Sequence, residues 1–235
     1  MAQAAAGALT RLDEITHRLR RECPWDREQD ERSIVPHTVE EAYELADAAH
    51  SGDDARLLDE LGDVLFQVHF LALLLEERGA GDLAAVAEHC RQKLIRRHPH
   101  VFADVEVADA DEVLSNWDEI KRVEPGRETG VFGEVPETLP GPLYARKAQR
   151  RASSAGHPTP TLEESASRVE EERRRAAGAE PGSEEAFVAV GEILFAEVAA
   201  ARALRVDPEL ALRAAAERFR ERVEADLAVG EASAR

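Results

Sequence analysis

Apolar residues recur along this chain at spacings of three and four, and no convincing alternation of the kind a half-buried strand requires appears. Leu57, Leu61, Val64, Leu65, Val68, Leu71, Ala72 and Leu75 form the longest stripe. An α-helix turns once in about 3.6 residues, so these positions share a face that other helices must cover. The pattern predicts an all-α fold with helices over 8–21, 33–50, 54–78, 82–97 and 109–123. Cys23-Pro24, Ser51-Gly52, Gly79 to Gly81 and His98-Pro99 punctuate them. Breaks this short imply antiparallel neighbours, hence a helical bundle.

Between residues 125 and 142 the chain carries four prolines and four glycines and no helical stripe, which predicts a linker. Further helices are expected over 142–153, 162–177, 184–204 and 207–227. This half echoes the first: Val169-Glu170-Glu171 matches Val39-Glu40-Glu41, and Gly191-Glu192-Ile193-Leu194-Phe195 matches Gly62-Asp63-Val64-Leu65-Phe66. The echo points to an internal duplication, with a first repeat over 8–124, a linker over 125–142 and a second repeat over 143–230.

The chemistry concentrates between Glu40 and Asp63. Glu40-Glu41-x-x-Glu44 lies on one expected helix and Glu60-x-x-Asp63 on the next. Helical positions three apart share a face, with Cβ atoms about 5–6 Å apart, so each helix presents an acidic pair. If the hairpin turns at Gly52, Glu44 and Glu60 each stand eight residues from the turn, and Glu41 and Asp63 each eleven. Equal rise along both helices sets the four acids level with one another. Four carboxylates in a partly buried cleft repel one another and lose hydration unless cations neutralise them. An all-oxygen set without Cys or His selects a hard ion, so Mg²⁺, or Mn²⁺ as a substitute, is expected. Gly62 lets a facing helix or ligand approach. The plainer alternative is a solvated acidic face, with Thr38-x-x-Glu41 a capping box at a helix start.

The net charge of −18 argues against sequence-independent nucleic-acid binding, because backbone affinity comes from Lys and Arg displacing counterions from phosphates. Carboxylate-held cations supply a local exception for a phosphate ligand. With 43% hydrophobic residues in 235, the chain can bury a core. No run reaches the roughly 20 apolar residues of a membrane span, and the start lacks a signal-peptide pattern, so a cytoplasmic protein is expected. Cys23 and Cys90 are too few for a disulfide framework and read as structural.

Five motifs in order resemble the MazG nucleotide pyrophosphohydrolases: Cys23-Pro24-Trp25-Asp26-x-x-Gln29, Glu40-Glu41-x-x-Glu44, Glu60-Leu61-Gly62-Asp63, Lys93-Leu94-Ile95-Arg96-Arg97-His98-Pro99-His100-Val101-Phe102, and Asn116-Trp117-x-x-Ile120-Lys121. The resemblance is strongest over residues 8–124. It implies an all-α NTP pyrophosphatase, usually homodimeric, that hydrolyses NTP or dNTP to the monophosphate and pyrophosphate as nucleotide-pool house-cleaning. Carried over, it makes Glu41, Glu44, Glu60 and Asp63 the metal ligands. Glu40 either orients or deprotonates the attacking water or stands behind the ligands. Lys93 and Arg97, four apart on one helix, can both face the cleft and donate to phosphate oxygens. Trp117 and Lys121 match positions that contact the nucleotide, Trp117 stacking on a base and Lys121 meeting phosphate; core packing and solvation explain this pair equally well. His98 and His100 read as residues of a helix end.

The second repeat departs from that pattern: Ala189 stands where Glu60 stands in the first, and Arg174 or Arg175 where Glu44 stands. A silent second repeat is therefore expected, serving packing, dimerisation or regulation. A di-iron or di-manganese carboxylate bundle is a competing enzyme reading, but the acids carry no Glu-x-x-His. A non-catalytic nucleotide sensor is a third reading, countered by the intact first set.

Overall fold

The computed structural model describes residues 2–125, 130–133 and 135–233. Their regular structure is helical throughout: α1 (Ala2–Glu22), α2 (Pro24–Glu28), α3 (Glu31–Ser51), α4 (Asp54–Glu77), α5 (Leu83–Arg97), α6 (Pro99–Phe102), α7 (Ala110–Arg122), α8 (Gly141–Ser154), α9 (Leu162–Gly178), α10 (Glu184–Ala203) and α11 (Pro208–Ser233). The all-α expectation stands, and each expected helix has its counterpart. Helix α1 begins six residues earlier than expected because the alanine-rich start has high helix propensity. The Cys23-Pro24-Trp25-Asp26 turn is itself a short helix, with Pro24 at its first position, where a missing N–H leaves nothing unbonded.

The chain divides into two compact units, Met1–Ala103 and Asp104–Arg235. This division differs from the sequence expectation, which kept residues up to 124 with the first half. The difference is α7, which packs on α8. Its Asp118, 3% exposed, accepts hydrogen bonds from Arg150 Nη2 (3.2 Å) and Ser154 Oγ (2.9 Å) and lies 3.9 Å from Arg151. Residues 126–129 and 134 of the expected linker lie outside the described residues.

In the first unit the α3–α4 hairpin is the main pairing, with α1 and α5 laid against α4. Ile34, Phe70 and Leu74 form its core, and Phe66 and Leu71 pack on them. Capping fixes where both arms begin and end. The Asp30 side chain accepts from the Arg32 and Ser33 amides, both at 2.9 Å, and Ser33 returns a bond to the Asp30 amide, a complete capping box. Gly52 closes α3 at φ 72°, a left-handed conformation that glycine adopts without a Cβ penalty. Asp53 then caps α4 by accepting from Ala55 N (2.9 Å) and Arg56 N (3.2 Å). Thr38 lies inside α3, donating to the Ile34 carbonyl at 3.3 Å, so it is no helix cap. Arg20 ties three helices: its Nε and Nη2 bind Glu77 at 2.7 and 2.8 Å, and its Nη1 donates to the carbonyls of Asp26 and Gln29.

In the second unit α9 and α10 form the main hairpin, with α8 against α10 and α11 against α8. A capping box of Thr161 and Glu164 opens α9, and Ser183 caps α10. Val169, Ala189, Ala196, Val198 and Ala199 are its buried apolar residues.

Candidate metal centre

The turn at Gly52 brings the acids of both arms together. Glu41 of α3 and Glu60 and Asp63 of α4 each offer a carboxylate oxygen, and these oxygens lie within 4.8 Å of one another. Glu41 is half-buried, Asp63 is exposed and Glu60 is 9% exposed. Burial pushes the Glu41 carboxyl above the usual glutamate range, and the charges of Asp63, Glu44, Glu60 and Glu40 push it further. Glu60 is raised in the same way, by burial first and then by Glu44, with Asp63 and Asp59 adding and Arg56 opposing.

Glu60 also carries the clearest sign of an incomplete site. Its Oε1 lies 3.9 Å from Arg56 Nε, but its buried Oε2 has no hydrogen-bond partner among the described residues. A buried acceptor without a donor is costly, and a cation in contact with it removes that cost. The donor set is all oxygen, which suits a hard divalent ion.

The family model of the MazG nucleotide pyrophosphohydrolase domain matches residues 29–102, which include both acidic arms and α5. A nucleoside triphosphate pyrophosphohydrolase of Escherichia coli (strain K12) is 38% identical over 226 residues, 91% of this chain and 85% of that protein. The chain belongs to the MazG family. A nucleoside triphosphate pyrophosphohydrolase/pyrophosphatase MazG of Thermotoga maritima is 39% identical over 203 residues, 85% of this chain and 77% of its own length. Among solved structures, a MazG-related protein from Thermotoga maritima covers 48% of this chain and 97% of its own at 28% identity, with a TM-score of 0.42.

Against that MazG background, the other expected site residues separate. Glu44 is exposed and outside the three-acid group, yet its charge acts on both Glu41 and Glu60. Glu40 is exposed, with its carboxylate 3.7 Å from His37 Nδ1. Lys93 and Arg97 stand on α5, which packs on α4; Arg97 is 6% exposed and Lys93 half-buried. Trp117 and Lys121 are half-buried on α7, in the second unit. His98 Nδ1 lies 2.6 Å from the Leu94 carbonyl, and His98 and His100 rest against each other at 5.5 Å, which supports the helix-end reading. Cys23 and Cys90 are free thiols, and the Trp25 ring meets His37 edge-on at 5.8 Å.

Two contributors escaped the sequence reading. Gln67, buried one turn beyond Asp63, has its Oε1 3.4 Å from Thr38 Oγ1, sharing that hydroxyl's single proton with the Ile34 carbonyl. This bond links α3 to α4 beside the acids and helps to hold their register. Arg56, four residues before Glu60, is the nearby cation that partly offsets its charge. The signal for each was helical spacing from a named acid, but side-chain direction across the hairpin was needed to read it.

Proposed function

We propose that Glu41, Glu60 and Asp63, with Glu44 at the edge, hold Mg²⁺, or Mn²⁺ in its place, in a nucleoside triphosphate pyrophosphohydrolase. The chain is a hydrolase acting on an acid anhydride, converting NTP or dNTP and water to the monophosphate and pyrophosphate. Its similarity to the Escherichia coli and Thermotoga maritima pyrophosphohydrolases over most of their length supports this activity. The observation that carries the metal assignment is the partnerless buried Glu60 Oε2 amid acids already pushed above their usual range.

A divalent ion bound there neutralises polyphosphate charge and acidifies water. The chain's own residues do the rest. Glu40, adjacent in sequence to Glu41, orients or deprotonates the attacking water. Lys93 and Arg97 donate to phosphate oxygens, where negative charge builds as the anhydride breaks. The working unit is a homodimer: Leu58, Leu61, Leu65 and Val68 form an exposed apolar stripe on α4, suited to burial against a second copy. Nucleotide-pool house-cleaning in the cytoplasm is the proposed role.

The test is pyrophosphate release from a panel of NTPs and dNTPs with Mg²⁺. Glu41→Gln or Asp63→Asn abolishes release while far-ultraviolet circular dichroism stays unchanged. Turnover that survives both substitutions overturns the ligand assignment.

A further inference from the structure

The second unit contains a cavity of about 680 Å³ between α8, α9 and α10, a volume in the range of small-molecule sites. Most of its wall is apolar: Phe132 and Phe195 face it together with alanines of α8 and α10. Two cations stand in that wall, and one of them, Arg168 of α9, is already paired with Glu171, Glu172 and Glu192. The other, Arg202, half-buried at the end of α10, makes one side-chain hydrogen bond among the described residues, from Nη1 to Gln149 Oε1 at 3.4 Å. Gln149 donates in turn to the Phe195 carbonyl at 2.8 Å, which turns its amide oxygen toward Arg202.

No carboxylate among the described residues pairs with Arg202. Its charged neighbours are Arg146 and Arg150, and these have acids of their own, Asp207 and Asp118. Burial and the two arginines pull its pKa down, yet a guanidinium keeps its proton in a protein. A half-buried guanidinium whose one side-chain bond is long keeps donors available for an anion at the edge of an apolar wall. The wall also carries Glu164 of α9 and Glu192 of α10. Glu164 is engaged with the Thr161 amide at 2.7 Å, and Glu192 with Arg168 at 3.5 Å. These acids disfavour a polyphosphate.

We propose that this cavity binds a small flat aromatic molecule bearing one anionic group, the anion on Arg202 and the aromatic body against Phe132, Phe195 and the alanine wall. The site lies wholly within the second unit and stands apart from the pyrophosphohydrolase reading.

The probes are 1-anilinonaphthalene-8-sulfonate, which is aromatic and singly charged, and its uncharged relative N-phenyl-1-naphthylamine, each titrated into the full chain by fluorescence. The sulfonate binds one site per chain at least tenfold more tightly than the uncharged probe. Arg202→Gln removes that preference and leaves weak binding of both. Ala148→Trp fills the cavity and abolishes both, and both variants retain NTP turnover and cooperative melting. Should Arg202→Gln melt without cooperativity, Arg202→Lys keeps a charge and retains the preference for the sulfonate. Equal affinity for the two probes in the parent chain, a preference that persists in Arg202→Gln, or unaltered binding in Ala148→Trp overturns the proposal.

Discussion

Arg168 of α9 reaches Glu192 of α10 across the second hairpin, Nη2 to Oε2 at 3.5 Å. In the sequence echo Glu192 stands where Asp63 stands in the first hairpin, so one arm meets a cation where the other meets acids. The same guanidinium lies 3.0 Å from fully buried Glu172, which Arg175 also holds at 3.0 Å. Ion pairing already neutralises these acids, and a divalent ion gains little by displacing it.

Metal occupancy should therefore follow the first hairpin alone. Electron paramagnetic resonance of Mn²⁺ titrated into the chain should show tight binding that Glu60→Gln removes and Glu192→Gln leaves intact. Loss of binding in Glu192→Gln would place a second metal site where this reasoning allows none.

The raised Glu41 and Glu60 carboxyls link metal to pH. Both hold their protons more tightly in the folded chain than when unfolded, so for each the neutral form favours folding. Their contribution to stability is fully present below the ordinary glutamate value of 4.5 and is lost as pH rises through the raised values. Without metal, Glu60→Gln should gain in Tm relative to the parent chain as pH climbs from 4.5 toward neutrality. Saturating Mg²⁺ should reverse the order at neutral pH, because the cation favours the ionised carboxylates. A Tm difference that is flat across this range, with and without Mg²⁺, would contradict the assigned electrostatics.

Much of this was legible in the chain. Helix positions follow from spacings of three and four, and the caps at Asp30, Gly52 and Asp53 are local chemistry. Counting from Gly52 placed Glu41 opposite Asp63 because two helices of equal rise keep step. It did not separate Glu44, which the structure leaves exposed, since rise sets height and not direction around the axis. Asp118 was passed over because its partners Arg150, Arg151 and Ser154 lie more than thirty residues further along. The Arg202 cavity needs three helices at once, and no local pattern announces it.

Asp118 sets a prediction about the second unit. Its carboxylate is the acid beside Arg150 and beside Arg151, which is 7% exposed and has a buried Nε without a hydrogen-bond partner among the described residues. Removing it leaves Arg151 buried without its counter-charge. Asp118→Ala should cost about 3 kcal/mol in urea unfolding, the low end for a broken buried pair because Arg150 keeps access to water. Asp118→Asn, which keeps an acceptor for Ser154, should cost less. A change below about 0.5 kcal/mol for the alanine variant would show that α7 is not anchored through this residue.

Gly52 tests the hinge. At φ 72° it holds a conformation that costs an L-residue about 1–2 kcal/mol, yet a Cβ built there meets nothing within 4 Å. The penalty is thus conformational and local, with no clash to spread into the hairpin. Gly52→Ala should lower unfolding stability by about 1 kcal/mol and leave the three acids in register, so pyrophosphate release per folded molecule stays at the parent level. Gly52→Val adds a β-branched side chain, for which the left-handed region is less accessible still, and should cost more. If Gly52→Ala abolished turnover while the chain stayed folded, the hinge would be setting the acid geometry through its own backbone angles, and equal arm lengths would not suffice to bring Glu41 to Asp63.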